Sequence, residues 1–410
     1  MPNTYIKGVN GGETTTPTGD EGLPLDDGTT STWIAIKNLI GRKLRETAGP
    51  TTLSMGAIAD GEFLKRSGST VIGGEISLNN QILNGSFQRF ERLTTPSTPV
   101  AMTDSVYNAP DMWYSLVQGA NATIGQAAGI GTSQYSCKLT AGGTTNRYGI
   151  AQIIKSDKSI PLRGQTVIFQ IRGKITNNAG SGTRNYRIAL LEWTGTADTI
   201  GATPHDLVSN WASSTFTTAG FFEGTTKTLV GTSSYTLTHG TEQVMSVSGS
   251  ISTSCNNLIL FVWAEDAPTH ASDYAQLGEA GLYIASTAQT WKYQDDSFAC
   301  DEFCQRYGAA TGTSMLAGLM DSTSTMLCFV MLRRPMFAAP TFSYGSIIGD
   351  WTIRYTGGGV TACTNLVQGS VSKWSSTHTA TATGTPLTAG QAGQLRAVNA
   401  NAYLLYEVSL

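Results

Sequence analysis

The side chains best suited to catalysis in this sequence are four carboxylates, Glu192, Glu265, Asp266 and Glu279. A glycosidase needs two carboxyl groups that face each other across a cleft, about 5–9.5 Å apart. Nothing in the spacing of these four residues selects such a pair. The sequence also has no serine nucleophile elbow, no zinc-protease motif and no phosphate-binding loop. We therefore expect no enzymatic activity.

The cysteines and histidines do not form a metal-binding pattern. Cys300 and Cys304 are the only two of the six cysteines that lie close in sequence, and their spacing is that of a helix and not of a zinc knuckle. The four histidines are scattered along the chain. A disulfide-stabilised secreted domain would be much richer in cysteine. The sequence predicts buried free thiols, with no metal and no cofactor.

Tryptophan residues are the best candidates for binding a ligand. Sugar rings stack on flat aromatic faces, with hydrogen bonds from side chains around them. Trp193 and Trp263 end predicted strands, while Trp211 and Trp291 lie in loop-like contexts. We take Trp211, Trp193 and Trp263 as candidate ligand-binding residues and expect Trp211 to be exposed. Packing in the core is the alternative for each of them.

The composition indicates an all-β protein. Charged residues make up 13% of the 410 residues, against about 25% in typical soluble domains, and the sequence is rich in Gly, Ser and Thr. Such a composition suits short strands and tight turns. The net charge of −3 gives no basic surface for nucleic acid. No run reaches the roughly 18 apolar residues that could span a bilayer, and the polar N-terminus is not a signal peptide. Neither nucleic-acid binding nor membrane insertion is expected.

The N-terminal part divides into two segments that are too small to fold alone. The sequence of residues 1–45 predicts an extended arm and a hairpin around Asp26-Asp27-Gly28. Residues 46–78 predict short strands that form a shaft or collar, with few large apolar side chains. Packing against copies from neighbouring chains would supply the missing core, and disorder of this segment is the alternative. The apolar residues expected to dock the hairpin on a partner surface are Leu23, Leu25, Trp33, Ile34 and Ile36.

The rest of the chain predicts two β domains. Residues 79–308 have longer alternating segments typical of a β-sandwich, and "DEFCQRYGA" near their end has a helical pattern. Residues 309–410 predict a small β domain. In it, "STMLCFVMLRRPM" has the pattern of a fully buried strand, and the final "NAYLLYEVSL" that of a paired terminal strand.

Four stretches of the sandwich region resemble a jelly-roll module of tailed-phage virion proteins. They are "ILNGSFQRFER", "APDMWYSL", "LGEAGLYIAS" and "DDSFACDEFCQRYG", and they occur in the same order as in that module. The residues that match its motifs are Asn84, Gly85, Phe87, Asp111, Trp113, Tyr114 and Cys304 to Tyr307. The segments "LPLDDGTTSTWIAIKNL" and "IADGEFLKRSGSTVIGG" likewise resemble attachment and shaft segments of phage fibres.

The sequence departs from the module at several positions. Phe90 stands where Trp is usual, Met112 where Arg is frequent, Cys300 replaces a Glu and Gly308 a Tyr. Related sugar-binding sandwiches often hold a structural calcium through an acidic pair near the Asn-Gly turn. The corresponding residues here are Ser86 and Gln88, which are uncharged, and Ca²⁺ prefers carboxylate ligands.

The resemblance implies a structural virion component, namely a tail fibre, head fibre or spike. The expected assembly is a homotrimer that forms in the host cytoplasm. Residues 1–45 would bind capsid, portal, collar or tail proteins, and the sandwich would adhere to polysaccharide on the host surface. The alternatives are a capsid or tail decoration protein without a ligand, and a stand-alone carbohydrate-binding module.

Overall fold

The structure is a computed structural model of the chain. It describes residues 22–26, 31–35, 44–45, 52–55, 63–67, 70–74 and 80–408, the last range without 94, 104–105, 108–109, 119–120, 146, 200–210, 212–226, 296, 309–313, 346–347 and 400–401. The chain divides into two compact units, Met1–Ser77 and Leu78–Leu410. No helix among the described residues is long and apolar enough to cross a membrane.

The first unit contains six short strands. They are β1 (Gly22–Asp26), β2 (Ser31–Ala35), β3 (Leu44–Arg45), β4 (Thr52–Met55), β5 (Phe63–Ser67) and β6 (Thr70–Gly74). The predicted hairpin is confirmed, because β1 and β2 pair antiparallel with Leu23 opposite Ile34. The other four strands form a sheet in the order β3-β4-β6-β5. The structure describes only the backbone of Leu23, Leu25, Trp33 and Ile34, and Ile36 lies outside the described residues. Their attachment role stays a prediction.

The second unit begins with a β-sandwich, as the sequence predicts, and the sandwich is built of two six-stranded sheets. Its strands are β7 (Val100–Ala101), β8 (Val106–Tyr107), β9 (Tyr114–Val117), β10 (Thr123–Ala128), β11 (Tyr135–Thr140), β12 (Tyr148–Ile154), β13 (Thr166–Thr176), β14 (Thr183–Trp193), β15 (Lys227–Thr238), β16 (Glu242–Ser250), β17 (Asn257–Ala264) and β18 (Tyr274–Ile284). The order is β16-β13-β18-β11-β10-β7 in the first sheet and β15-β14-β17-β12-β9-β8 in the second. A short helix (Ser156–Ser159) and a 3-10 turn (Ile160–Leu162) follow β12.

Alternation along the strands builds the core between the two sheets. Leu258, Leu260 and Val262 of β17 face the interior with Ile188 and Leu190 of β14, and all are fully buried. The intervening residues of β17 are buried as well, on the outer face of the second sheet. A strand buried on both faces reads as a continuous apolar run, which explains the sequence "NLILFVWA".

The chain ends in a closed barrel and a three-stranded sheet. After a short helix (Ser297–Cys300) come β19 (Cys304–Gly308), β20 (Ser314–Met320), β21 (Thr325–Met331), β22 (Thr341–Gly345), a 3-10 turn (Ile348–Asp350), β23 (Trp351–Tyr355), β24 (Val360–Val371), β25 (Ser375–Ala382), β26 (Ala392–Ala397) and β27 (Tyr403–Glu407). The barrel order is β20-β21-β25-β24-β23-β26, and the sheet order is β19-β27-β22. The last strand is paired on both sides, as predicted.

Two predictions for this region are wrong. "CQRYG" is not helical: it forms β19, which pairs with β27 from Cys304 opposite Glu407 to Gly308 opposite Tyr403. The distant last strand supplies hydrogen bonds that the local helical pattern could not anticipate. β21 is also not fully buried, because its side chains alternate between the barrel interior and the surface.

Candidate functional site

The three tryptophans proposed as ligand-binding residues lie together on the outer face of the second sheet. Trp193 ends β14, Trp263 lies on β17, and Trp211 is the one residue described between 200 and 226. All three belong to one apolar cluster with Phe261 and Tyr114, which we call the aromatic face. The rings of Phe261 and Trp263 meet edge to face with centroids 6.4 Å apart.

The aromatic face is largely closed. The side chain of Trp263 is 1% exposed and that of Trp211 is 7% exposed, so the expected exposure of Trp211 is wrong. Trp193 is half-buried at the margin, where its indole N–H donates to the Thr196 carbonyl over 2.9 Å and Lys227 Nζ lies 5.7 Å from its ring centroid. A flat ring packed on a sheet face serves stability, and the ligand-binding role of these three residues stays a prediction.

The four candidate carboxylates are held by different structural partners. Glu265 accepts a 2.5 Å hydrogen bond from Arg187 and one of 2.7 Å from Ser234. Asp266 accepts from the Asn185 amide over 2.9 Å, and Glu192 accepts from the Ser252 amide over 3.0 Å. Glu192 and Glu265 lie toward opposite ends of the second sheet, because β14 pairs Glu192 with Leu258 and Tyr186 with Ala264.

Glu279 lies on the first sheet, and its carboxylate binds the loop between β10 and β11. Its carboxylate accepts hydrogen bonds from the amide and hydroxyl of Thr132 and from Arg172 Nε at 2.6 Å. Burial raises the pKa of Glu279, but these bonds outweigh it and hold the pKa below its ordinary value. A general acid needs the opposite shift.

The cysteines are buried free thiols, as predicted. Burial raises the pKa of Cys255 and Cys328 to about 12 and that of Cys304 well above its ordinary value. A thiol with a raised pKa is a poor nucleophile and a poor metal ligand. Among the described residues no group of three or more His, Cys, Asp or Glu could hold a metal ion.

A separate cleft of about 330 Å³ opens beside the first sheet, and we call it the Trp291 cleft. Three stretches that are distant in sequence meet there: the turn that follows the Asn-Gly pair, the connection between β10 and β11, and the segment after β18. The lining residues are Ser86, Gln88, Thr132, Ser133, Gln134, Tyr135, Trp291 and Tyr293. None of them carries a formal charge.

The Asn-Gly turn presents Ser86 and Gln88 to this cleft. Asn84 has a positive φ of 55°, which Asn tolerates better than most residues. Its buried side chain accepts from the Arg89 amide over 3.0 Å and donates to the carbonyls of Arg89 and Asp111 over 2.8 and 3.0 Å. Phe87, also at positive φ, is fully buried with its ring centroid 5.2 Å from that of Trp113. The residues that flank Phe87 are thereby held at the cleft.

The second wall of the cleft is a braced loop. The Gly129 amide donates to the Gln134 carbonyl over 3.0 Å, and Gly131 has a positive φ of 64° that suits glycine. The Ser133 hydroxyl lies 3.1 Å from the Ser86 carbonyl and 2.9 Å from the Tyr135 carbonyl. Thr132 is also held by Glu279, so hydrogen bonds hold this wall at several points.

The third wall carries two aromatic rings. The indole N–H of Trp291 donates to the Ala280 carbonyl over 3.2 Å, so its edge is fixed while its ring remains partly exposed. The Tyr293 hydroxyl donates to Gln88 Oε1 over 2.9 Å, and its side chain is 55% exposed. Ser86, which lines the cleft, has a buried Oγ with no hydrogen-bond partner in the described part of the chain. Unpaired buried polar atoms are uncommon, so Ser86 has hydrogen-bonding capacity to spare.

The sequence indicates some of the residues that line this cleft, but not that they lie close together in the fold. Ser86 and Gln88 stand out for lacking charge, and Trp291 for its loop-like context, whereas nothing pointed to Tyr293. The available signal was the pattern Trp-x-Tyr in a polar segment that follows a strand.

Comparisons with known proteins give only distant likenesses. No family model matches the chain, and no curated protein matches it. The chain is similar to the C-terminal family 22 carbohydrate-binding module of Clostridium thermocellum Xyn10B, at 10% identity over 44% of this chain and 89% of that one, with a TM-score of 0.27. It is similar to the CBM22-2 xylan-binding domain of Paenibacillus barcinonensis Xyn10C, at 14% identity over 42% and 92% with a TM-score of 0.26. It is also similar to TmCBM61 in complex with β-1,4-galactotriose, at 9% identity over 50% of this chain and 99% of that one, with a TM-score of 0.27. Similarity at this level gives no basis for assigning a binding role to this chain.

Proposed function

We propose that this protein is a structural and adhesive component of a tailed-phage virion whose sandwich binds a neutral polysaccharide of the host surface in the Trp291 cleft. The observation that carries the binding role is the cleft itself, in which two aromatic rings and amide and hydroxyl groups converge without a charge. Pyranose rings stack on aromatic faces and are oriented by a few polar groups. An uncharged lining favours neutral sugars over sugars that carry carboxylates.

The polar groups of the cleft can form hydrogen bonds with the hydroxyl groups of a sugar. Ser86 Oγ is unpaired, and the amide of Gln88 has its oxygen engaged by Tyr293. Hydroxyl groups both donate and accept, so a sugar can satisfy a serine hydroxyl and an amide at the same time. Because the loop and the indole are already held, little conformational entropy is lost when a ligand binds.

The virion setting of the proposal is supported by the order of the sequence motifs. The assembly would be a homotrimer located on the virion, with residues 1–45 bound to other virion proteins and residues 46–78 as its shaft. An antibody against the sandwich, used to label purified particles for electron microscopy, tests the location. Labelled particles would support the proposal, and unlabelled particles together with unassembled free protein would overturn it in favour of a stand-alone carbohydrate-binding module.

The cleft is tested by substituting its aromatic wall. We expect Trp291→Ala and Tyr293→Ala each to weaken binding of neutral host oligosaccharides at least fivefold by titration calorimetry, since stacking of one ring contributes about 1 kcal/mol or more. Phe298→Ala removes another exposed aromatic ring, outside the cleft, and is expected to bind like the unsubstituted protein.

A third variant separates the two candidate surfaces of the sandwich. If Trp193→Ala abolishes binding and Trp291→Ala does not, the aromatic face is the binding site and the cleft proposal is wrong. If no host glycan binds at all while the protein saturates capsids or tails, the protein is a decoration protein without a ligand.

A further inference from the structure

Six large apolar side chains are exposed on one side of the barrel. They come from β20, β21, β24 and the turn before β25, and between 48% and 72% of each is exposed. We call this surface the barrel patch, and its members are Leu319, Leu327, Phe329, Met331, Val367 and Trp374.

Strand register makes the barrel patch continuous. Leu327, Phe329 and Met331 are alternate residues of β21, so they point to the same face. Leu319 lies directly opposite Leu327 on β20. On the other side, Thr379 of β25 lies opposite Leu327 and also opposite Val367 of β24. The Trp374 carbonyl accepts a 2.9 Å hydrogen bond from the Leu332 amide, which puts Trp374 at the Met331 end.

The three strands that carry the patch, and β25 between β21 and β24, contain no Asp, Glu, Lys or Arg. Their one ionisable side chain other than cysteine is His378, which is buried in the barrel. Charged residues occur only beyond the strand ends, with Asp321 after β20 and with Arg333 and Lys373 near Trp374; all three are exposed. An apolar centre with charges at its rim is the composition of a protein–protein interface.

The size of the patch is also that of an interface. A fully exposed large side chain presents roughly 200 Å², so the exposed parts of the six residues add up to about 700 Å². A standard interface covers about 800 Å² on each partner, whereas the largest apolar patch of a typical monomer is about 300–600 Å². Because the barrel is closed, it has no free strand edge there, and a partner must pack against the face.

We infer that the barrel patch packs against a second copy of this chain. A charged partner such as nucleic acid or an acidic peptide would find no countercharge on these strands. An uncharged apolar face can pack against the same face of another copy without leaving a buried charge unpaired, which suits a contact between copies related by a rotation axis. The opposite signs of Asp321 and Arg333 at the two ends allow rim ion pairs between copies. This inference does not depend on glycan binding or on the virion role.

Single added cysteines test the contact directly, because all six native cysteines are buried. With a flexible bis-maleimide, we expect Phe329→Cys to give covalent dimers in at least tenfold higher yield than Val360→Cys. Val360 is 49% exposed and lies at the other end of β24, where it pairs with Arg354. A single cysteine per chain can be linked only between chains. Equal yields for the two variants would overturn the inference.

Dilution measurements give a second test in the full-length protein. We expect light scattering to show a multiple of the 43.4 kDa chain mass, and Phe329→Glu to raise the concentration at which half of the oligomer dissociates at least tenfold. Val360→Glu is the matched control and should leave that concentration unchanged. A monomer at micromolar concentration, or an oligomer equally sensitive to both substitutions, would show that the patch does not bind a second copy.

Discussion

His378 shows how one residue of the barrel is fixed by its surroundings. Its ring is fully buried, with Nε2 2.6 Å from the Tyr406 hydroxyl and its centroid 4.3 Å from that of Phe342. Desolvation by this apolar pocket lowers the pKa of His378 from about 6.5 to about 4. The imidazole is therefore neutral in the folded protein throughout the physiological range.

The buried histidine predicts loss of stability in acid. Between pH 6.5 and pH 4 the unfolded chain binds a proton at His378 that the folded chain does not, so stability falls as the pH falls and levels off below pH 4. From pH 7.5 to pH 4.5 this residue should cost about 2–3 kcal/mol of unfolding free energy. We expect His378→Gln, which keeps a hydrogen-bonding group for Tyr406, to reduce the pH-dependent difference in unfolding free energy by that amount in urea titrations. An unchanged difference would contradict the assigned pKa.

Among the individual residues, the Asn-Gly pair illustrates what local chemistry could and could not predict. The Asn84-Gly85 pair predicts a turn from residue type alone, and the turn is present. That the Asn84 side chain is buried, and that its turn delivers Ser86 to a cleft, depended on Asp111 and Trp113, which only the folded chain brings near.

At the level of elements, residues 80–86 are held against β18 by hydrogen bonds. The Asn80 side chain donates to the Ala280 carbonyl over 2.9 Å and accepts from the Leu282 amide over 2.9 Å. The Ala280 amide donates to the Gly85 carbonyl over 2.9 Å. A Cβ at Gly85 would lie 2.4 Å from the Ala280 carbonyl oxygen, so only glycine fits at this distance. The same oxygen accepts from Trp291, which links the seating of this segment to the cleft.

This seating predicts a combined defect in Gly85→Ala. We expect the added methyl group to push the segment away from β18, which should lower the unfolding free energy by about 1–3 kcal/mol and weaken glycan binding through Trp291. Thermal unfolding and titration calorimetry measure the two effects.

Gly308→Ala serves as the control, because a Cβ at Gly308 meets nothing within 4 Å. A Gly85→Ala protein as stable as Gly308→Ala would show that β18 and the segment adjust without cost.

At the level of the whole molecule, the sandwich and the barrel share packing. Phe337 packs against the cores of both. Its ring stacks on Phe303 with centroids 5.6 Å apart, Lys155 Nζ lies 4.2 Å from its centroid, and its amide donates to the Glu302 carbonyl over 2.8 Å. Arg92 of the sandwich side also pairs with Glu407 of the last strand. We therefore expect a loss of stability in one of these two domains to lower the stability of the other.

The coupling predicts that one substitution affects both parts. Phe337→Ala should lower the unfolding free energy by about 2–3 kcal/mol, somewhat less than for a fully buried ring. In scanning calorimetry we expect every transition of the sandwich and of the barrel to move to lower temperature. Val360→Ala, which removes part of an exposed side chain of β24, is the control, and a shift confined to one transition would contradict the coupling.

Several properties of the protein follow from residue type and short-range alternation alone. These are the all-β class, the hairpin at Asp26-Asp27-Gly28, the sandwich strands and the buried thiols. Each follows because a strand's side chains alternate between its two faces and because Gly, Asn and Asp fit turns.

Which surfaces are open and which segments meet depends on contacts between distant parts of the chain. Trp263 became buried because a sheet has two faces, and sequence alternation does not tell whether the outer one is covered. Trp211 became buried because it packs in the same apolar cluster. β19 became a strand because β27, nearly a hundred residues later, pairs with it. The Trp291 cleft and the barrel patch likewise join residues from separate strands and loops. Pairing between distant strands is nonlocal, so no window of sequence contains it.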